Sequence, residues 1–108
     1  MTFDEYQKKA RETAFYPQHL KVIYPVIGLA GETGEVCEKV KKVLRDKQGH
    51  FDAEAKDAII KELGDTIWYL ANICHDLEIT LEEVASKNIE KLQARKDRNK
   101  LAGSGDDR

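Results

Sequence analysis

A chain of 108 residues with 35% charged residues and only two prolines fits one soluble, helix-rich domain with a modest core. Its net charge of −2 gives no general attraction to nucleic acid or to an anionic membrane, and neither is expected as a partner. No signal peptide and no apolar run long enough to span a bilayer is visible, so a cytoplasmic protein is expected. Cys37 and Cys74 lack metal or redox spacing and are expected to be reduced core residues, with a contact between them left open.

The first predicted helix begins at a capping-box spacing formed by Thr2 and Glu5. Gln7 lies on its apolar face, where it is interpreted as a surface amide beside the core, with a hydrogen bond to a substrate as the alternative. Two Tyr-Pro pairs then interrupt the helical period, because a residue before proline is pushed away from the α conformation. Residues 16–25 are therefore predicted to form a connection whose aromatic residues are available to line a pocket.

Two long helices are predicted next, from about Val26 to Lys47 and, with Asp52 as its cap, from about Ala53 to Asp76. They carry the same acidic pattern. In each, an apolar residue is followed by two spacers, Glu, one spacer, Gly and an acid. The pattern places Glu32 and Glu35 on one side of the second helix, and Glu62 and Asp65 on one side of the third, because residues three apart are neighbours on a helix surface.

Four carboxyl groups converge at the rim of the core if the apolar stripes of these helices pack together. The stripes comprise Leu29, Val36, Cys37, Val40 and Leu44 in one helix, and Ile59, Leu63, Ile67, Leu70, Cys74 and Leu77 in the other. Like charges about 4 Å apart repel by roughly 4 kcal/mol at an effective dielectric of 20, so such a cluster takes up protons or cations. Oxygen ligands favour hard ions such as Mg²⁺ or Mn²⁺. The alternative is ordinary solvated helix surface, which a single pair would favour but the repeated pattern does not.

Other charged and aromatic residues of the long helices have competing interpretations. Lys39, Lys41 and Lys42 follow the first acid pair and are interpreted as solvated charges, with contact to phosphate as the alternative. Trp68 points away from the main stripe of the third helix, which is therefore apolar on two sides. A neighbouring subunit is the preferred cover for this side, and another segment of the same chain is the alternative.

The fourth predicted helix begins at Thr80 and carries polar residues on its apolar face. Asn88 falls in the middle of that face, Arg95 follows on the same side, and Lys91 lies at its edge. Because burying such groups without partners costs several kcal/mol, they either pair with acids of other helices or form a phosphate clamp beside the metal. The chain is thus predicted to be an all-α, four-to-five-helix antiparallel bundle completed by a second subunit. Its domain covers residues 1–102, and residues 103–108 form a flexible tail.

These motifs together resemble the MazG-like all-α nucleoside triphosphate pyrophosphohydrolases. The family signature is Glu-x-x-Glu on one helix and Glu-x-x-Asp on the next, which correspond here to Glu32/Glu35 and Glu62/Asp65. The later Asn88-Ile89-Glu90-Lys91-Leu92 and Arg95 look like the family's downstream helix. Many members have two adjacent glutamates at the start of the signature, whereas Gly31 precedes Glu32 here, a departure that bears on substrate choice.

The resemblance implies hydrolysis of (deoxy)nucleoside triphosphates to the monophosphate and pyrophosphate, with Mg²⁺ as cofactor and Mn²⁺ as a substitute. It implies homodimers or homotetramers. The four acids would be the metal ligands, and Glu35 would orient or deprotonate the attacking water. Lys91 and Arg95 would offset charge on phosphorus, Asn88 would orient sugar or phosphate, and Gln7 would contact the base.

Three other functions compete with this one. The first is a non-catalytic helical interaction module whose acids hold a structural ion, and the second is hydrolysis of a phosphoribosyl-linked nucleotide. The third is a di-iron carboxylate bundle, which the sequence disfavours because no histidine follows a metal-side glutamate by three residues.

Overall fold

Four α-helices and one 3-10 turn form the structure, a computed structural model that describes residues 1–107. The elements are α1 (Phe3–Arg11), the 3-10 turn (Gln18–Leu20), α2 (Ile23–Asp46), α3 (Ala53–Asp76) and α4 (Leu81–Asp97). The described residues contain no strand, which confirms the prediction of an all-α fold. None of these helices combines the length and the hydropathy needed to cross a bilayer. Arg108, the last residue of the predicted tail, lies outside the described residues.

Three of the four helices begin at side-chain caps that were visible in the sequence. The side chains of Thr2, Asp52 and Thr80 accept hydrogen bonds from backbone N–H groups in the first turns of α1, α3 and α4. Each bond satisfies a donor that has no partner within the helix, which is why these residues mark helix starts.

Helix α2 begins at Ile23, earlier than the predicted Val26, and Pro25 lies inside its first turn. Proline is tolerated there because a first-turn N–H has no acceptor within the helix. The predicted connection over 16–25 therefore ends at Val22, whose φ of 67° and ψ of −55° are unusual for a β-branched residue. Ile23 N donates to Lys21 O at 2.8 Å, so Val22 is the centre of a γ-turn with positive φ.

The two long helices pack against each other in antiparallel fashion, but not through the predicted stripe of α3. Val43 of α2 lines a groove with Ala55 and Ala58 of α3, and further along the pair Tyr69 lies against Gly28. The predicted contact residues Leu63, Leu70 and Leu77 are instead exposed, at 50%, 38% and 50%. The face of α3 toward α2 carries Ala55 and Ala58, whose small side chains let the two backbones approach, and the leucine stripe is left uncovered.

The core lies between α1, α3 and the start of α4. Its buried members are Ala10, Ala71, Cys74 and Leu81, against which Tyr6, Ile67, Trp68 and Ile79 pack. Trp68 also donates from Nε1 to Thr13 Oγ1 at 2.8 Å. The preferred interpretation of Trp68 as a contact to another subunit is therefore wrong, because the segment around α1 covers it within the same chain.

Two further expectations about burial are wrong. Cys37 is exposed, and it forms no disulfide with the buried Cys74. Asn88 is exposed as well, together with its apolar neighbours Val84 and Ile89. The reason is the same in both cases. Helical periodicity gives the direction of these side chains around their own helices, but no other described helix covers those faces of α2 and α4.

Candidate metal centre

Glu32 of α2 meets Glu62 and Asp65 of α3 at the interface between the two long helices. One carboxylate oxygen from each residue lies within 4.8 Å of the other two. Glu62 and Asp65 share a face of α3 because they are three residues apart, and the packing of α2 brings Glu32 opposite them. A set of three carboxylates supplies only oxygen donors, the ligands that Mg²⁺ and other hard cations prefer.

The electrostatics of this group favour a bound cation. The pKa of Glu32 is raised, first by partial burial and then by the negative charges of Asp65, Glu62 and Glu35. A raised pKa means that the ionised carboxylate is disfavoured relative to water. A divalent ion placed among the three oxygens would reverse that effect by pairing the charges.

Glu35 stands apart from the three convergent acids. It lies one turn beyond Glu32 on α2 and is exposed. Its charge nevertheless contributes to the raised pKa of Glu32, so it lies within the field of the group. Of the four predicted metal ligands, the structure thus brings three together and leaves Glu35 beside them.

Lys39, which the sequence predicts to be a solvated charge, lies next to this group. Lys39 Nζ lies 3.8 Å from Glu62 Oε1, and both side chains are largely shielded, with 33% and 17% exposed. Lys39 is four residues after Glu35, a spacing that keeps the two on one side of α2. The four-residue spacing from Glu35 to Lys39 is therefore the feature of the sequence that could have predicted a lysine beside the carboxylates.

Two tyrosines also border the carboxylates. Tyr69, four residues after Asp65, has a pKa raised by burial and then by Tyr24, Glu32 and Asp65. Tyr6 has a pKa raised by burial and by Asp65. Both phenols therefore stay protonated and can donate hydrogen bonds near the acids. Sequence reasoning missed them, although the i, i+4 relation of Tyr69 to Asp65 was a usable clue.

The predicted cationic residues of α4 have their partners in the C-terminal segment. Lys91 Nζ lies 3.2 Å from Asp106 Oδ1, and Arg95 Nη2 lies 3.5 Å from the same oxygen. Arg95 Nη2 also donates to the carbonyl oxygens of Gly105 and Asp106, at 3.2 and 2.6 Å. Arg95 is buried, as predicted from its place on the helix, and its guanidinium Nε has no hydrogen-bond partner among the described residues. The structure brings Lys91 and Arg95 together on one anionic group.

Gln7 uses both ends of its amide to hold the connection between α3 and α4. Its Nε2 donates to Ile79 O at 3.0 Å, and its Oε1 accepts from Leu81 N at 2.7 Å. These bonds satisfy backbone groups where one helix ends and the next begins. The structure therefore places Gln7 in a supporting position that the sequence did not reveal.

An all-helical domain with a cluster of carboxylates between its two long helices defines a candidate divalent-metal protein. The sequence also matches the family described as MazG nucleotide pyrophosphohydrolase domain over residues 25–99. The chain belongs to this family. It is similar to Gene 37 protein of Mycobacterium phage L5, with 44% identity over 114 residues that cover 100% of both proteins. No solved structure shows a significant match.

Proposed function

We propose that the protein hydrolyses (deoxy)nucleoside triphosphates to the monophosphate and pyrophosphate with Mg²⁺, which Mn²⁺ can replace. The observation that carries this proposal is the convergence of Glu32, Glu62 and Asp65 between the two long helices of a MazG domain. When bound there, a divalent ion supplies phosphate neutralisation and a lowered pKa for the attacking water.

Glu35 is proposed as the residue that orients the water and takes its proton. It is exposed and adjacent to the three convergent acids, so its carboxylate is free to face solvent and substrate. In the reaction, the water oxygen bonds to the α-phosphorus while the bond from that phosphorus to the bridging oxygen breaks. Pyrophosphate leaves with the bond's electron pair, and the proton of the water passes to the carboxylate.

Three residues of α4 are proposed to contact the substrate, namely Lys91, Arg95 and Asn88. Lys91 and Arg95 already hold one carboxylate, and a phosphate would offer them more negative charge once Asp106 withdraws. Asn88 is exposed and is proposed to orient sugar or phosphate. Gln7 would have to release Ile79 and Leu81 before it contacted a base, and this favours its structural role.

Assembly into a homodimer or homotetramer is proposed from the shape of the chain. Its accessible surface is 7894 Å², whereas a monomeric protein of this mass has about 6,100 Å². Its radius of gyration is 16.8 Å, compared with about 13 Å for a compact domain of this length. The exposed stripe of Leu63, Leu70 and Leu77, with its seven-residue spacing, is the kind of surface that a second copy covers.

The direct test is a panel of nucleoside triphosphates incubated with Mg²⁺ and scored for monophosphate and pyrophosphate. Asp65→Asn and Glu32→Gln should abolish pyrophosphate release. Glu38→Gln is the matched control, since Glu38 is an acid of the same helix that pairs with Lys41. Turnover that is unchanged in both site variants would overturn the proposal.

Adding a phosphoribosyl-linked nucleotide to the panel, and measuring Mg²⁺ binding beside it, separates the two alternative functions. Release of products only from a phosphoribosyl-linked nucleotide would replace the triphosphate as substrate. Tight Mg²⁺ binding that Asp65→Asn removes, without turnover of any nucleotide, would instead indicate a structural ion site.

A further inference from the structure

An aromatic cavity of about 380 Å³ opens beside the start of α2 and the middle of α3. Its aromatic lining consists of Phe15, Tyr16, Tyr24, Trp68 and Tyr69. Tyr16 and Tyr24 are stacked with ring centroids 5.0 Å apart, and Trp68 meets Tyr69 edge to face at the same distance. Phe15 at its border is 89% exposed, an uncommon position for a large apolar ring. The cavity thus offers aromatic rings to a planar ligand.

The cavity lies close to the three convergent carboxylates. Tyr69 follows Asp65 by four residues on α3, which is about 6 Å along the helix axis. On α2, Tyr24 and Glu32 are separated by two turns, and Gly28 stands between them against the ring of Tyr69. Burial is the main reason that the pKa of Tyr69 is raised, and the nearby charges of Glu32 and Asp65 are among the groups that raise it further. A ligand whose phosphates meet the carboxylates can therefore extend its other end into the cavity.

Asp76, at the C-terminal end of α3, binds Tyr16 of the cavity lining through a hydrogen bond. Its side chain is 2% exposed and accepts hydrogen bonds from Tyr16 Oη at 2.6 Å, Val22 N at 2.9 Å and Arg11 Nη1 at 3.1 Å. Arg11 also donates to Tyr16 Oη at 2.8 Å. Burial opposes ionisation of Asp76, but these hydrogen bonds and the charge of Arg11 outweigh it and lower its pKa. The carboxylate is therefore ionised, and both of its oxygens accept hydrogen bonds.

The bond from Asp76 to Val22 enforces an unfavourable backbone conformation. A β-branched residue at φ 67° persists only where surrounding contacts impose it, and such residues often serve a functional geometry. Here the turn sets the start of α2, two residues before Tyr24. One carboxylate thereby fixes both members of the stacked pair, Tyr16 directly and Tyr24 through the Val22 turn.

We infer that the aromatic cavity binds the nucleobase of the substrate and that Asp76 is the positioning residue that keeps its stacking wall in place. This inference rests on the proposed function, since it supplies the base-binding part of the same site. Five of the seven lining residues are aromatic, and every base has a π face that can stack on an aromatic ring. The cavity is therefore expected to distinguish a nucleotide from a base-free phosphate chain more strongly than one base from another.

Trp68 is the single tryptophan of the chain and reports on the cavity without any turnover. Its fluorescence should change when a non-hydrolysable nucleoside triphosphate analogue is added to the full chain with Mg²⁺. Inorganic tripolyphosphate with Mg²⁺, which has no base, should leave the signal nearly unchanged. Equal responses to the two probes would overturn the assignment of the cavity to the base.

Variants then test the positioning role. Tyr16→Phe keeps the ring but removes the hydrogen bond to Asp76, and it should weaken nucleotide binding about fivefold. Asp76→Asn should weaken it further, and Phe15→Ala, which removes one stacking face, should weaken it about tenfold. Binding of Mg²⁺ and of tripolyphosphate should stay unchanged in all three. Phe51→Ala, at an exposed ring outside the cavity lining, is the matched control.

Two outcomes separate this inference from the proposed function. If Tyr16→Phe and Phe15→Ala bind the analogue as tightly as the native chain, the inference is wrong, whatever the rate of hydrolysis. If the nucleotide responses appear as described but no triphosphate is hydrolysed, the cavity assignment stands and the proposed reaction fails. Because Tyr16→Phe retains the ring, the test does not depend on whether Asp76→Asn folds.

Discussion

A Cβ atom placed on Gly28 would lie 2.1 Å from Cε1 of Tyr69, so these two residues can pack as they do only because one is glycine. Glycine in a helix interior costs about 1 kcal/mol relative to alanine. Because residue 28 has no side chain, α2 and α3 approach closely at this point, one helical turn from Glu32 and its partner carboxylates on α3. The contact therefore links local helix composition to the geometry of the candidate metal centre.

Gly28→Ala is expected to destabilise the fold by about 1–3 kcal/mol, because the added methyl group must displace the partly buried ring of Tyr69. Urea denaturation measures the change. Gly34→Ala is the control, since its added Cβ meets nothing within 4 Å and should be neutral or stabilising by up to about 1 kcal/mol. Equal effects of the two substitutions would contradict the close contact.

Glu32→Gln is expected to leave the free energy of unfolding unchanged or slightly higher when no divalent ion is present. The pKa of Glu32 is raised first by partial burial and then by the charges of Asp65 and Glu62, so its ionised form is disfavoured. In water, removing one such repulsion at about 4 Å is worth up to about 1 kcal/mol. The stabilisation that Mg²⁺ confers on the native protein should be lost in this variant, and thermal unfolding with and without Mg²⁺ measures both effects. A marked loss of stability without Mg²⁺ would contradict this account.

The buried carboxylate of Asp76 predicts a loss of stability in acid. Its pKa is lowered in the folded state from an ordinary value of 3.8, so its stabilising contribution is present above about pH 4. That contribution is lost as the pH falls through the lower, folded-state pKa. Urea denaturation between pH 2 and pH 7 should therefore show native and Asp76→Asn proteins converging below about pH 4. A difference between them that stays constant with pH would disprove the ionised pairing.

Gln7→Glu separates a structural role of Gln7 from a role in substrate binding. The carboxylate can still accept from Leu81 N but cannot donate to Ile79 O, which loses its partner. A loss of about 1–3 kcal/mol in the free energy of unfolding is expected. Nucleotide affinity should change little once the variant is folded. A large loss of affinity with full stability would support the substrate contact instead.

The exposed leucine stripe of α3 predicts self-association. Sedimentation velocity at micromolar concentration should show a dimer or larger species. Replacing Leu63 and Leu70 with glutamate should shift it toward the monomer, because two charges would then be buried at the interface. Phe51→Glu, at an exposed ring between α2 and α3, is the control and should not change the assembly. A native chain that sediments as a clean monomer would remove the inference.

Most local features of this protein could be predicted from the sequence because they depend on neighbouring residues. The caps at Thr2, Asp52 and Thr80 follow from the orphan N–H groups of a helix start. The shared face of Glu62 and Asp65 follows from helical geometry alone. The acidic signature also led to the family that the sequence comparison confirms.

Tertiary structure alone decided which helix faces meet. Periodicity gives the angle of a side chain around its own helix axis, but it does not say which neighbouring element covers that angle. The sequence therefore predicts a contact of Trp68 with another subunit, whereas Trp68 donates a hydrogen bond to Thr13 of the same chain. It also predicts a buried Asn88, whereas Asn88 is exposed. The partnership of Asp76 with Val22 was equally invisible, because it joins residues far apart in sequence whose pairing depends on the packing of the whole chain.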